Sequence, residues 1–110
     1  MTMYRQGDLL FVRLDQEIDG TEVPRDRRGR IVLAEGEATG HAHAVLDREA
    51  RLLEPEFEEL VLDVWAQDGV DVVHEEHAPI HLDRGFWSVV RQREFDYTAP
   101  AWRQGRWIAD

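Results

Sequence analysis

The residues best suited to chemistry in this chain are its five histidines, and they fall in two short stretches. One is Gly40-His41-Ala42-His43 and the other His74-Glu75-Glu76-His77-Ala78-Pro79-Ile80-His81. Imidazoles two apart on a strand point the same way, ~6.6 Å apart along it, so His41 and His43 can reach one divalent metal ion together. A third imidazole from a neighbouring strand would complete a facial site with open positions, the arrangement that Lewis-acid chemistry needs. His41 and His43 lead the candidate ligands, His74 and His77 follow, and His81 comes last. Ala42 and Ala44 leave room around the first pair, and Gly36 and Gly40 let the preceding loop bend sharply. A helical zinc-protease signature is rejected, because it needs two His four apart on a helix. His77 and His81 have that spacing, but Pro79 lies between them.

Around the imidazoles stand residues that could complete a reaction centre. Glu75 or Glu76 would serve as catalytic base or fourth ligand. Arg91 and Arg93 would clamp a carboxylate or phosphate, that is, a small anionic ligand. The plainer reading of this arginine pair is an exposed strand face neutralised by nearby acids. The run Glu54-Pro55-Glu56-Phe57-Glu58-Glu59 reads as a solvated loop, since it lacks the Asp-x-Asp ladder of a calcium site. Tyr97, Trp102 and Trp107 interleave with Arg103 and Arg106 and are expected to cover one end of the fold rather than to stack bases. With no Cys and a single Ser, Ser88, placed mid-strand, thiolate metal sites, Cys nucleophiles and serine triads drop out.

The elements that position these groups are short. Apolar runs of five to ten residues, rich in Val, Ile, Phe and Trp, recur between Gly and Asp turn signals. They predict strands over 8–14, 30–35, 41–46, 48–54, 59–66, 70–76 and 86–95, with 106–109 as a last partner. Gln67-Asp68-Gly69 is expected to close a hairpin between two of them, and Asp47-Arg48 a tight turn. The one helix-like stretch, 47–62, is broken by Pro55. Alternation puts Leu60, Leu62, Val64 and Ala66 on a core face, and carries His74 inward behind Val70 and Val72. The fold class expected is all-β, a small barrel or sandwich of seven or eight strands. The two histidine clusters are expected to converge, His41 and His43 at a strand entry and His74 and His77 at the end of a neighbouring strand.

Gly36-x4-His41-x-His43-x3-Asp47 resembles the first motif of the cupins, in which a Gly is followed by an HxH pair and an acidic residue. The gap from Gly to His is one residue shorter here, Asp stands where Glu is usual, and the second cupin motif is missing. The resemblance implies a small β-barrel, cupin-like at most, whose HxH pair holds Zn, Fe, Mn or Ni. Over residues 36–95 the GHAH and HEEH segments and the closing Arg-Gln-Arg-Glu also resemble small bacterial proteins of uncharacterised activity, which implies no reaction.

Composition bounds the rest. At 110 residues and 43% hydrophobic, the chain is read as one domain, 1–110, with a small core. No apolar run approaches the ~20 residues of a membrane span and Met1–Arg5 is no secretory leader, so no membrane partner and a cytoplasmic location are expected. A net charge of −10 argues against general nucleic-acid binding, because a polyanion would be repelled. Residues 84–110 nevertheless hold five Arg against three acids, so an anionic ligand suits that third of the chain. Three functions compete. The first is a metal-binding β-barrel that acts on or senses a small anionic ligand. The second is a metal-free phosphodiesterase or RNase with two His as acid and base. The third is a non-catalytic module, an accessory subunit or inhibitor whose acidic surface engages a basic protein partner. A homodimer is the other assembly expected. Whether the chain is an enzyme stays open at this level.

Overall fold

The computed structural model of the chain describes residues 1–35 and 40–92. Over these residues the apolar runs form ten strands and no helix. In chain order they are β1 (Met3–Gln6), β2 (Leu9–Arg13), β3 (Thr21–Val23), β4 (Ile31–Glu35), β5 (Ala42–Val45), β6 (Ala50–Glu54), β7 (Leu60–Val64), β8 (Val70–Val73), β9 (Ile80–Leu82) and β10 (Gly85–Arg91). Three of them, β1, β3 and β9, fall outside the expected runs: each is short and carries polar or charged residues among its apolar ones or beside them, so no apolar run marks it in the sequence. The helix-like stretch resolves into β6 and β7 on either side of Pro55, in line with its Leu and Val content and the break the ring imposes. Among the described residues no helix is long and apolar enough to cross a membrane.

All pairings are antiparallel and build two sheets, one in the order β1-β2-β10-β7-β6-β3 and the other β4-β5-β8-β9. No strand pair joins the sheets among the described residues, so of the two expected architectures the closed barrel is the one set aside. Both sheets feed one core. The six-stranded sheet supplies Leu9, Phe11, Leu52, Leu62, Val64, Trp87 and Val89, and the four-stranded sheet supplies Ile31, Leu33, Val45, Val70, Val72 and Leu82. Trp87 is fully buried and satisfies its indole N–H by donating to the Asp83 carbonyl at 2.9 Å.

The turn at Gln67-Asp68-Gly69 forms, with the Gly69 N–H donating to the Ala66 carbonyl at 3.0 Å, but it does not close a hairpin. Strand β7 pairs with β6 and β10, whereas β8 pairs with β5 and β9, so the turn passes the chain from one sheet to the other. The physical reason is burial. Both strands need to place one apolar row on the shared core, and two facing sheets do that without the two strands being neighbours. The segment 46–49 makes the same kind of crossing between β5 and β6.

Candidate functional site

The inner rows of several strands turn from apolar to polar at the same end of the molecule. On β5 the row runs back from the buried Val45 to His43 and, just before the strand, His41. On β8 the buried Val70 and Val72 are followed by His74, one residue past the strand end. On β10 Trp87 and Val89 lead to Arg91, and on β1 the last residue is the buried Gln6. Strands pair Ala44 with Val73 and Val45 with Val72, and that register, extended by one residue, sets His43 opposite His74. Within the four-stranded sheet the ladder register and the side-chain alternation therefore bring the two histidine stretches together, and Gln6 reaches them from the other sheet.

Four imidazoles are gathered there. The His43 and His74 ring centres lie 4.4 Å apart, His74 and His77 4.6 Å, His41 and His74 5.9 Å, and His43 and His77 6.0 Å with nearly parallel planes. His74 thus wedges between His43 and His77. His41 and His43 both reach His74, which sets them on the same side of β5. Gly7, in the β1–β2 turn at φ +59°, forms the floor: a Cβ there would stand 2.8 Å from His77 Nε2 and 3.2 Å from His43 Cε1. The fifth histidine is elsewhere. His81 on β9 faces the Asp71 carboxylate at 2.8 Å, half exposed and outside the cluster.

His43 is the most constrained member, with 1% of its surface exposed. Its Nδ1 lies 2.8 Å from Gln6 Oε1, while Gln6 Nε2 donates to the carbonyls of Val72 and Ala78, each at 2.9 Å. Two carbonyl oxygens can only accept, so they fix which end of the Gln6 amide is nitrogen, and the remaining oxygen requires a proton on His43 Nδ1. In neutral His43 the lone pair is therefore on Nε2, which faces Asp8 Oδ1 at 3.4 Å. Burial pushes the His43 pKa down, helped by the charges of His74 and His77 and opposed by Asp8. Burial also pushes the Asp8 carboxyl up, but the hydrogen bond and charge of Arg91 outweigh it and leave Asp8 below its ordinary value.

The other expected residues take varied places. Glu75 accepts the Ala42 N–H at 2.9 Å, which ties the two histidine segments together and lowers its own carboxyl pKa. Glu76 Oε1 lies 2.8 Å from His41 Nδ1 but off the direction of a hydrogen bond, and that buried ring nitrogen has no hydrogen-bond partner. His74 Nδ1 accepts the Glu76 N–H at 3.0 Å. Arg91 is turned to Asp8 Oδ2 at 2.8 Å and to the Glu35 carbonyl at 2.8 Å, so it braces the site rather than standing free for a ligand. Arg93, together with Phe95, Tyr97, Trp102, Trp107 and the expected strand at 106–109, lies outside the described residues, as does Gly36. Among the described residues, no three His, Asp or Glu side chains already hold their donor atoms in a metal-binding arrangement. A separate cleft of about 530 Å³ opens beside Asp15, Glu17, Arg51, Asp63, Trp65 and Phe86 and shares no residue with the imidazoles.

Sequence reasoning passed over Gln6 and Asp8. Their signal was weak but present: Gln6-Gly7-Asp8 is a polar turn signal just ahead of the apolar run Leu9–Val12. Comparison with known proteins gives one result. A family model with the description "Domain of unknown function (DUF8820)" matches residues 5–92, a span that holds all the residues of the cluster. No curated protein and no solved structure matches the chain.

Proposed function

Because that match covers four fifths of its length, the chain belongs to the DUF8820 family, whose description names no activity, and we propose from the site alone that it binds a divalent transition metal. The observation that carries the proposal is the packing of four imidazoles, from stretches some thirty residues apart, at ring-centre separations of 4.4–6.0 Å. Protonated together, such rings would repel one another, and the depressed His43 pKa fits a neutral, ligand-competent imidazole. Asp8, Glu75 and Glu76 around the rings supply negative potential for a cation. The buried hydrogen bond from His43 Nδ1 to Gln6 is the outer-shell contact by which metal-binding histidines are oriented. Zn, Fe, Mn and Ni all suit imidazole and carboxylate donors. An ion held by a few protein ligands keeps open positions, through which the protein would sense or act on a small anionic ligand.

The test is calorimetric titration of chelator-stripped protein with Zn2+, Mn2+ and Ni2+. One ion per chain is expected, with binding abolished in the His41→Ala, His43→Ala double variant and weakened as pH falls through the histidine range. Stoichiometric uptake by the double variant would defeat the reading.

A second reading has one observation in its favour: among the described residues no group of three His, Asp or Glu side chains already holds its donors as a metal site does. In it the cluster works without metal, as the acid and base of a phosphodiesterase or RNase. His43 Nε2 would take a proton and a neighbouring imidazole would return one. Hydrolysis of a model phosphodiester that persists in excess chelator would select this reading. Loss of all turnover on chelation would remove it.

A further inference from the structure

We infer that Asp8 and His43 form the fixed edge of the site, with Asp8 Oδ1 and His43 Nε2 as its two preset donors, Gln6 and Arg91 as positioning residues, and His74 outside the coordination. The inference rests on the metal-binding reading and assigns its ligands.

The argument starts with the proton count. Gln6 spends its amide hydrogens on the Val72 and Ala78 carbonyls and can offer His43 only an acceptor. The His43 proton is thus held on Nδ1, and Nε2 presents a bare lone pair. Across from it stands Asp8 Oδ1 at 3.4 Å, another lone pair, on a carboxylate that stays ionised against Arg91. Two lone pairs facing at that distance, one of them on a buried ring, call for a positive species between them. The spacing suits one. Donors at the usual ~2.05–2.1 Å from a tetrahedral zinc ion stand about 3.4 Å apart.

The two supports are specific. Arg91 Nε takes Asp8 Oδ2 at 2.8 Å while its terminal nitrogen is anchored on the Glu35 carbonyl, which leaves Oδ1 as the oxygen turned to His43. The Asp8 carbonyl accepts the Gln92 N–H at 2.7 Å, so the loop bearing the carboxylate is pinned to the end of β10. Both donors are therefore held by groups that do not themselves touch the ion. His77, whose Nε2 lies against Gly7 beside the His43 ring, is the imidazole this assignment leaves as third donor. His74 fails the same accounting. Its Nδ1 lone pair accepts the Glu76 N–H, so its neutral ring carries the proton on Nε2 and has no free pair to give. It packs between His43 and His77 as a spacer.

The experiment uses the full chain, Zn2+ as the probe and two readouts. Zinc affinity is measured by competition with a chromophoric chelator, and the histidine tautomers by long-range proton–nitrogen NMR. In the metal-free protein His43 should be protonated on Nδ1 and bare on Nε2, and zinc should shift the Nε2 resonance while leaving Nδ1 protonated. Asp8→Asn, which keeps shape at an accessible position, should weaken zinc binding by at least about tenfold. Gln6→Leu should mix the His43 tautomers and weaken zinc about 10–100-fold, the range seen when outer-shell partners of metal ligands are lost. His74→Phe should keep wild-type affinity. If Asp8→Asn binds zinc as the wild type does, or His74→Phe abolishes binding, this assignment of donors falls while the metal-binding reading stands. If the wild-type protein takes up no zinc, both fall. A His43 found protonated on Nε2 overturns the role given to Gln6.

Discussion

Gln6 is the residue on which the site's geometry depends most. It joins a six-stranded to a four-stranded sheet through three hydrogen bonds, one from His43, one to the Val72 carbonyl in β8 and one to the Ala78 carbonyl just before β9. Replacing it with Leu preserves bulk but takes this partner from the buried His43 Nδ1–H and the buried Val72 carbonyl. Gln6→Leu is expected to lower unfolding free energy in urea by about 1–3 kcal/mol, the cost of burying polar groups unpaired. Two histidines should also separate by pH. Burial lowers the His43 pKa from 6.5, so the unfolded chain binds a proton before the folded one does. Stability therefore falls as pH drops below 6.5 and levels off once the folded His43 is protonated. The Asp71 hydrogen bond raises the His81 pKa above 6.5, so its contribution is complete below 6.5 and is lost as pH rises through the folded value. Imidazole proton shifts followed against pH should show His43 titrating below 6.5 and His81 above it. The stability difference between wild type and His81→Gln should close at alkaline pH.

At the scale of elements, the turns decide which sheet each strand joins. Gly29 and Gly69 have almost the same backbone, φ +79° and +78°, in very different surroundings. A Cβ at Gly29 would meet nothing within 4 Å, whereas at Gly69 it would run into the Leu82 carbonyl and stand 2.7 Å from His81 Nε2. Gly29→Ala should therefore cost only the left-handed strain, about 1–2 kcal/mol. Gly69→Ala adds a backbone clash at the crossing between sheets and should cost clearly more. Paired thermal melts of the two variants check the difference, and equal shifts in Tm would mean that the chain relaxes around Gly69. Both glycines stand at turn signals in the sequence, Arg28-Gly29 and Gln67-Asp68-Gly69. The sequence could not rank them, because the clash comes from β9, which is brought beside the turn only by the β8–β9 ladder that pairs Val70 with Leu82.

For the molecule as a whole, the small core sets how much change it tolerates. Trp87 packs fully buried on β10 in the middle of the six-stranded sheet, among core residues from both sheets. Trp87→Ala should cost about 3–5 kcal/mol, a large share of the stability of a domain this size. Its urea unfolding midpoint should collapse, with loss of the near-ultraviolet signal ahead of any change at the imidazole cluster. A variant with an unchanged midpoint would show that the core is not continuous across the two sheets.

The sequence by itself determined the local terms. Val, Ile, Leu and Phe runs cut by Gly and Asp pointed to strands, and alternation put Leu62, Val64, Val70 and Val72 on inner faces. The same alternation carried His41 and His43 to one side of a strand, since backbone pleat fixes it whatever the neighbours are. Pairing was different. Whether β7 and β8 were partners, whether the sheets closed into a barrel, and which polar turn met the imidazoles all depended on contacts between residues far apart in the chain. Asp8 and Gln6 carry no motif and gain their place only because β1 and the end of β8 are brought together, 66 residues apart between Gln6 and Val72. Tertiary structure decided those matters because burial rewards any pairing that covers the apolar rows, and only the complete set of rows selects one.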